Sequence, residues 1–238
     1  MATILTFPTS SNNDLEQRLK LVRQNISDAC SLVGRSDQEI TLIVVTKFHP
    51  VSLVQQLIDL GVRDVGESRH QEAEPKAAEL ADQNLTWHFV GQVQTKKARR
   101  IRQYASVIHS VDRQALVDAL GSDDDLASLS VTEIFIQINL TDDPARGGVS
   151  EPDLEPLVEH ALGMPGVRVR GVMAVAPREG DPAHAFARLR AASERVQTLD
   201  PTASAISAGM SGDYRQAIAF GATHLRIGSA ITAKSPDQ

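Results

Sequence analysis

The chain has 238 residues, of which 42% are hydrophobic, and its formal net charge at pH 7 is −6. This length and hydrophobic fraction suffice for one large core, and an α/β barrel commonly fits in a single domain of this size. The negative charge argues against a general nucleic-acid binder. Cys30 is the only cysteine, which excludes an internal disulfide and fits a reducing, cytoplasmic setting.

The amino-terminal part of the sequence predicts a tail followed by a helix. Residues 1–11 are expected to be a flexible tail, and residues 12–238 to form one domain. The start has neither a basic segment nor a long apolar core, so we expect no signal peptide and no membrane span. Residues 14–33 are predicted to be helical, with Asn13 as the nearest N-cap candidate. The apolar residues at helical spacing are Leu15, Leu19, Val22 and Ile26.

After this helix, short apolar runs alternate with helical patterns, which is typical of parallel βαβ units. The predicted strands cover residues 40–46, 62–66, 86–91, 107–111, 133–140, 167–175, 204–209 and 224–229. The predicted helices between them cover residues 51–60, 69–82, 94–104, 113–120, 151–162, 182–199 and 212–220. This alternation predicts the α/β class, as a single (β/α)8 TIM barrel with an extra N-terminal helix. A doubly wound open sheet is the alternative.

Polar or small residues follow nearly every predicted strand. In barrels of this kind, chemistry collects at the carboxyl ends of the strands. The residues at those ends are Lys47, Glu67, Gly91, Gln92, Ser110, Asn139, Met173, Ser207, Gly228 and Ser229. The sequence therefore predicts a polar mouth above a packed barrel.

Lys47 follows directly after the first predicted strand. A lysine in this place commonly lays its stem on apolar surface and keeps its ammonium group in water. In a half-dry site, desolvation would favour the neutral amine, which attacks carbonyl groups. A Schiff base with a sugar-like substrate or with pyridoxal phosphate (PLP) would follow. The local sequence leaves both interpretations open.

Two small-residue turns near the end of the sequence are suited to an anion. Residues 207–212 lie between a predicted strand and a predicted helix, and residues 228–229 end the last predicted strand. Glycines let backbone N–H groups approach an anion, and the loops after strands 7 and 8 commonly bind phosphate in these barrels. Glycine and serine are also ordinary turn residues. Because the first and last strands of a closed barrel are neighbours, a phosphorylated aldehyde could extend from Lys47 to these turns.

Arg226 lies two residues before Gly228 and so shares its strand face. If that face points into the barrel, the guanidinium could donate to the ring nitrogen of PLP and discourage its protonation. The ring would then be a weaker electron sink than one paired with an aspartate. If the face points outward, Arg226 is a surface residue.

Several segments together resemble the YggS/PROSC family of PLP-binding homeostasis proteins. They are VVTKFHP, VGESRHQEAEPK, WHFVGQVQTKKAR, IHSVD, IQINL, GVMAVAP and SAGMSGDYRQAIAFGATHLRIGSAI, in family order over residues 14–231. The resemblance implies a single alanine-racemase-like barrel that holds PLP as an internal aldimine on Lys47. It also implies that Arg226 faces the pyridine nitrogen. The remaining cofactor contacts that we carry over are Ser207, Met210, Ser211, Gly228, Ser229 and Asn139.

The resemblance further implies a role in keeping PLP and amino or keto acids in balance, without a dedicated enzymatic activity. PLP-dependent apoenzymes are the candidate partners. The sequence departs from the family pattern at Ser68, where the family has asparagine, and at Gln92 and Lys96, where it has histidine and asparagine. The family's bulky residue near the end is also missing from RIGSAITAK.

The enzymatic alternatives are a PLP-dependent racemase of fold-type III and a Schiff-base aldolase. Racemases of this barrel type also use a second base, typically a tyrosine from a separate β-domain. Tyr104 and Tyr214 fall in predicted helices or their starts, and the sequence ends soon after the last predicted strand. We therefore expect no dedicated racemase, and a monomer rather than a dimer.

Two further features have ordinary interpretations. The basic run over residues 96–102 falls in a predicted helix without interleaved aromatics, so we expect a solvated helix face and no nucleic-acid partner. His70, His88 and His109 belong to different strand–helix units and lack metal-ligand spacing. We interpret them as hydrogen-bonded or surface histidines and predict no metal site.

Overall fold

The structure is a computed structural model that describes residues 10–121, 131–141, 143, 146–177 and 179–233, with side chains from residue 14 onward. Most of the predicted tail, residues 1–9, lies outside the described residues.

Eight parallel strands close into a barrel in chain order, with the last strand pairing with the first. The strands are β1 (Thr41–Val45), β2 (Asp64–Glu67), β3 (Thr86–Phe89), β4 (Val107–Val111), β5 (Thr132–Gln137), β6 (Val167–Met173), β7 (Ala205–Ser207) and β8 (His224–Ile227). The predicted (β/α)8 barrel is confirmed, and the alternative of an open sheet is wrong.

Helices surround the barrel. They are α1 (Ser10–Leu32), α2 (Val51–Asp59), α3 (His70–Glu79), α4 (Ala98–Arg102), α5 (Gln114–Gly121), α6 (Leu154–Leu162), α7 (Pro182–Leu199), α8 (Tyr214–Ala219) and α9 (Ser229–Thr232). Short 3₁₀ turns occupy Asp37–Glu39, Thr95–Lys97 and Glu151–Asp153. No helix among the residues described is long and apolar enough to cross a membrane.

The start of α1 differs from the prediction. The helix begins at Ser10, so residues 10 and 11 are helical and Asn13 lies inside the helix rather than at its N-cap. Serine and asparagine are both good N-cap residues. Residues 10–13 are two serines and two asparagines, so the sequence does not decide which of them begins the helix. The buried face of α1 is as predicted: Leu15, Leu19, Val22 and Ile26 are each at most 4% exposed. This face packs α1 against α8 and α9.

The barrel wall separates two layers of side chains. On β3, Trp87 and Phe89 belong to the main core under the helices, while His88 points the opposite way because strand side chains alternate. A second, small apolar cluster comprises Val107, Phe135 and Met173. The polar groups that share the barrel interior with this cluster form part of the site.

Candidate functional site

The fold brings the end of β1 and the two predicted turns together at the carboxyl end of the barrel. A Cβ placed on Gly228 would lie 3.4 Å from Val45 Cβ and 3.6 Å from the Val45 carbonyl oxygen. The turn after β8 therefore lies beside the strand end that leads to Lys47. Ser211 Oγ accepts a hydrogen bond from Ala230 N–H at 3.2 Å, which joins the turn after β7 to the turn after β8.

Lys47 is exposed, which agrees with the interpretation that keeps its ammonium group in water rather than in a half-dry site. The last buried residue after β1 is Thr46, and the chain then turns outward at Phe48, whose φ of 67° is left-handed. Phe48 N–H donates to Glu72 Oε2 at 3.0 Å, which holds this turn. Lys47 Nζ lies 5.7 Å from the centre of the Phe48 ring. The amine is thus reachable from solvent.

A second lysine near the mouth is held very differently. Lys76 Nζ donates to Glu67 Oε1 at 2.7 Å and to the Thr46 carbonyl at 3.1 Å. Thr46 Oγ1 donates to the same Glu67 oxygen at 2.7 Å. Glu67 stands among the residues predicted at the strand ends, whereas Lys76 was missed. The signal was available, because Lys76 shares the buried face of α3 with His70 and Ala73 at three-residue spacing.

The two turns offer unused backbone donors. Within the part of the chain that the structure describes, no hydrogen bond engages the N–H groups of Ser211, Gly212, Gly228 or Ser229. Gly209 allows the first turn to pack closely, since its φ is 91° and an added Cβ would lie 2.9 Å from Ala217 Cβ. The joined turns therefore leave several backbone N–H groups available to an acceptor.

Met210 and Asp213 fix the conformation of the first turn. Met210 N–H donates to Asp213 Oδ1 at 2.6 Å. The Met210 carbonyl accepts from the N–H groups of Asp213 and Tyr214, at 3.2 and 3.1 Å. The amide of Met210 is already used in this way, while its side chain is 38% exposed at the mouth.

Ser207 is the last residue of β7 and lies inside the barrel. It is fully buried, and its Oγ accepts from Arg226 Nη1 at 2.5 Å and lies 2.8 Å from His109 Nδ1. Strand alternation puts Ile206 toward the helices and Ser207 into the barrel. In this structure the Ser207 hydroxyl therefore contacts Arg226 and His109 rather than the two turns.

Arg226 points into the barrel, which agrees with the inward interpretation of its strand face and not with the outward one. It is 5% exposed, and Nη2 donates to the Ala174 carbonyl at 2.9 Å. Burial lowers the pKa of Arg226 to about 10, and the nearby charge of Asp213 opposes this shift. The guanidinium therefore stays charged at neutral pH.

Asn139 serves its own loop rather than the mouth. Its Oδ1 accepts from Thr141 N–H at 2.9 Å and from Thr141 Oγ1 at 2.7 Å. Its Nδ2 donates to the Asp143 carbonyl at 2.9 Å. An asparagine readily closes a turn through its own side chain, and the hydrogen bonds of Asn139 in this structure are of that local kind. We do not carry Asn139 into the proposed site.

The three histidines singled out in the sequence, His70, His88 and His109, are hydrogen-bonded. His70 Nδ1 lies 3.3 Å from Tyr104 Oη, and His88 Nδ1 lies 2.9 Å from His109 Nε2 inside the barrel. Burial lowers the pKa of His109 well below its ordinary value of 6.5. Among the residues described, no group of three or more His, Cys, Asp or Glu side chains is arranged to hold a metal ion.

The basic run over residues 96–102 is only partly a solvated face. Ala98 and Ile101 are buried as expected, but Arg102 is 6% exposed and its Nη1 donates to the Leu120 carbonyl at 2.5 Å. Arg100 pairs with Glu74 through two donors. The run thus contributes to the contacts between helices.

The site combines an exposed amine, a buried cation and two joined turns whose N–H groups have no acceptor among the described residues. These features define a class of TIM barrel suited to a phosphorylated, lysine-bound ligand. A family model described as alanine racemase, N-terminal domain, matches residues 18–236. The pyridoxal phosphate homeostasis protein of Escherichia coli K12 is 35% identical over 92% of this chain and 96% of its own. The pyridoxal phosphate homeostasis protein of Mycobacterium tuberculosis H37Rv is 33% identical over 97% of this chain and 96% of its own. The chain belongs to this YggS/PROSC family of pyridoxal phosphate homeostasis proteins.

Solved structures agree with this assignment. PipY of Synechococcus elongatus, solved without PLP, superposes with a TM-score of 0.81 at 31% identity and covers 91% of this chain and 99% of its own. The same protein solved with PLP bound gives a TM-score of 0.76 at 30% identity over the same shares. Alanine racemase of Corynebacterium glutamicum is only 15% identical and supports the fold alone, with a TM-score of 0.69 over 92% of this chain and 62% of its own.

Proposed function

We propose that this protein binds PLP at the barrel mouth through Lys47 and takes part in the homeostasis of PLP and of amino and keto acids. One observation carries the proposal: the strand end that leads to Lys47 meets two turns joined by Ser211 and Ala230, each with free N–H donors. The relatives named as homeostasis proteins and the PipY structure with PLP support it.

Lys47 is the amine suited to an incoming aldehyde. When bound, PLP supplies an aldehyde that condenses with a primary amine with loss of one water. Lys47 Nζ is exposed, whereas the Lys76 amine is buried and occupied by Glu67 and Thr46. The two lysines therefore do not compete for the same aldehyde.

The turns would hold the phosphate. Among the described residues the N–H groups of Ser211, Gly212, Gly228 and Ser229 have no acceptor, and backbone N–H groups in such turns stabilise an anion. Ser211 and Ser229 add hydroxyl groups. Ser207 is left out of this set because its hydroxyl is bound to Arg226.

Arg226 would face the pyridine nitrogen. A guanidinium has only donors, so it stabilises an unprotonated ring nitrogen and makes the ring a weak electron sink. This favours holding the cofactor over turning over amino acids.

The tyrosines also favour a binding role over racemisation. Tyr104 Oη lies 3.3 Å from His70 Nδ1, and burial raises the pKa of Tyr104 above its ordinary value. Tyr214 is only 6% exposed and packs in the main core. Neither residue presents a free phenol as a second base. We extend the proposal to a monomer in the cytoplasm that exchanges PLP with apoenzymes.

Borohydride reduction of the purified protein, followed by peptide mapping, tests the assignment of Lys47. We expect a yellow protein whose cofactor label maps to Lys47. Lys47→Ala should lose the covalent label, while Lys20→Ala, which alters an exposed lysine on α1, should keep it.

A label on another lysine in the wild-type protein, with Lys47 unmodified, would refute the assignment. Racemisation of amino acids at ordinary enzymatic rates would favour the racemase alternative. A colourless protein that borohydride links to a keto substrate would favour the aldolase.

A further inference from the structure

A continuous series of hydrogen bonds crosses the barrel interior from Asp64 to Arg226. Asp64 Oδ1 lies 3.0 Å from His88 Nε2, and His88 Nδ1 lies 2.9 Å from His109 Nε2. His109 Nδ1 lies 2.8 Å from Ser207 Oγ, which lies 2.5 Å from Arg226 Nη1. We call these five residues the interior chain.

The two ends of the interior chain determine its direction. A guanidinium can only donate hydrogen bonds, and a carboxylate can only accept them. Arg226 therefore donates to Ser207 Oγ, and the Ser207 hydroxyl donates to His109 Nδ1. Each histidine then carries its proton on Nε2, so that His109 donates to His88 and His88 donates to Asp64. Every bond in the interior chain points the same way.

The interior chain links the two ends of the barrel. Asp64 is the first residue of β2, at the end opposite the mouth, and its side chain is 32% exposed. The other four members are each at most 5% exposed. In such surroundings a hydrogen bond strengthens its neighbours, and a missing partner is costly. Within the described residues, no carboxylate is paired directly with Arg226.

Charged and titratable groups around the middle of the interior chain do not compete for its bonds. His224 contacts the His109 ring edge-on, with the ring centres 6.4 Å apart, and its Nδ1 lies 2.8 Å from Thr223 Oγ1. Arg170 pairs with Glu133 at 3.3 Å. Phe135 stacks on His109 with the ring centres 4.5 Å apart and shields it.

We propose that Asp64 is a positioning residue for Arg226. By accepting from His88, Asp64 fixes the tautomers of both histidines, so that His109 Nδ1 accepts from the Ser207 hydroxyl and holds it in the orientation that accepts from the guanidinium. The inference about the histidines stands on the protein alone. The consequence for the cofactor rests on the proposed function, because it requires Arg226 to face bound PLP.

Histidine tautomers, measured by long-range ¹H–¹⁵N NMR, test the first part. In the wild-type protein, with PLP removed, we expect protons on Nε2 of His88 and His109. Asp64→Leu removes the acceptor and should populate the Nδ1–H tautomer of His109, while Asp64→Asn keeps an acceptor oxygen and should restore the wild-type tautomers. Asp118→Leu is the matched control, since it removes the carboxylate 2.6 Å from the half-buried His160 and should leave His109 unchanged.

The rate of PLP loss tests the second part. Loss of the one net hydrogen bond that holds the Ser207 hydroxyl in place beside Arg226 should accelerate PLP release about fivefold in Asp64→Leu, with Asp64→Asn and Asp118→Leu close to the wild-type rate. If the leucine variant does not fold, Asp64→Ala removes the same acceptor with less apolar bulk.

Unchanged His109 tautomers in a folded Asp64 variant without an acceptor would overturn the proposal. So would altered tautomers with an unchanged rate of PLP release. If the wild-type protein takes up no PLP, the proposed function fails, and the consequence for the cofactor fails with it. The NMR measurement of the histidine tautomers still tests the interior chain in that case.

Discussion

Lys76 and Glu67 form a buried ion pair close to the exposed Lys47. The side chains of Lys76 and Glu67 are 10% and 1% exposed. Removing one partner from such a pair leaves an uncompensated buried charge, which costs more than the pair itself contributes. Glu67 already has one buried oxygen, Oε2, without a hydrogen-bond partner among the residues described. The pair is therefore a sensitive point for stability.

We expect Lys76→Met to lower the free energy of unfolding by about 3–5 kcal/mol, because Glu67 would stay buried and unpaired. Adding Glu67→Leu to this variant should recover much of the loss. Urea unfolding of the two single variants and the double variant measures the coupling. Arg100→Met, which breaks an ion pair with 64% and 36% exposed side chains, is the control and should cost less than ~1 kcal/mol. Equal losses for Lys76→Met and the control would contradict this account.

The sequence identified individual residues where their type and position were sufficient. Lys47 was picked out by its place after a strand and Arg226 by its strand position, but the local pattern left the surroundings of both open, and the structure shows Lys47 exposed and Arg226 buried. Ser207 could not be assigned in this way, because its partner His109 lies 98 positions away. Which polar side chains meet inside a barrel depends on how the strands close, and local patterns do not contain that information.

The turn between β7 and α8 depends on one glycine for its shape. Gly209 has φ of 91°, and an added Cβ would lie 2.9 Å from both Ala217 Cβ and Tyr214 Cα. Gly212 lies in the same turn, and an added Cβ there would have nothing within 4 Å. Alanine at Gly209 tests the need for a left-handed backbone and close packing, whereas alanine at Gly212 tests only the reduced flexibility of the turn.

Gly209→Ala should lower the free energy of unfolding by about 1–3 kcal/mol, because the left-handed backbone is strained for alanine. It should also weaken PLP binding, since the turn would shift its free N–H donors. Gly212→Ala should change the free energy of unfolding by much less than Gly209→Ala does, and should leave PLP binding close to that of the wild type. Thermal unfolding and PLP titration of both variants measure the difference. Similar behaviour of the two variants would show that the turn does not depend on Gly209.

Regular elements were predictable where their periodicity was long enough. The strands and the buried face of α1 follow from alternation and helical spacing. Helix α9 was missed, because its four residues are too few to show a period. The start of α1 was misplaced by the run of equally good capping residues. In both places the local sequence is compatible with more than one helix boundary, and tertiary packing determines which boundary forms.

The closed barrel concentrates neutral histidines in its interior. Burial lowers the pKa of His224 from its ordinary value of 6.5 to about 3, with further lowering by His88, Arg170 and Arg226 and an opposing effect of Asp64. The pKa of His109 is also lowered. Between pH 6.5 and 3 the unfolded chain therefore binds more protons than the folded protein. Stability then rises with pH, so it is lost as the pH falls through this window.

We expect the free energy of unfolding to decrease from about pH 6.5 downward, with His224 contributing a slope of up to ~1.4 kcal/mol per pH unit. His224→Gln removes this titration and should flatten the dependence by that amount, even if the variant is less stable at pH 7. His160→Gln alters a half-buried histidine outside the barrel interior and should retain the full slope. Denaturant unfolding at pH 4, 5, 6 and 7 compares the three proteins. Parallel curves for wild type and His224→Gln would mean that His224 binds its proton in the folded barrel as readily as in the unfolded chain.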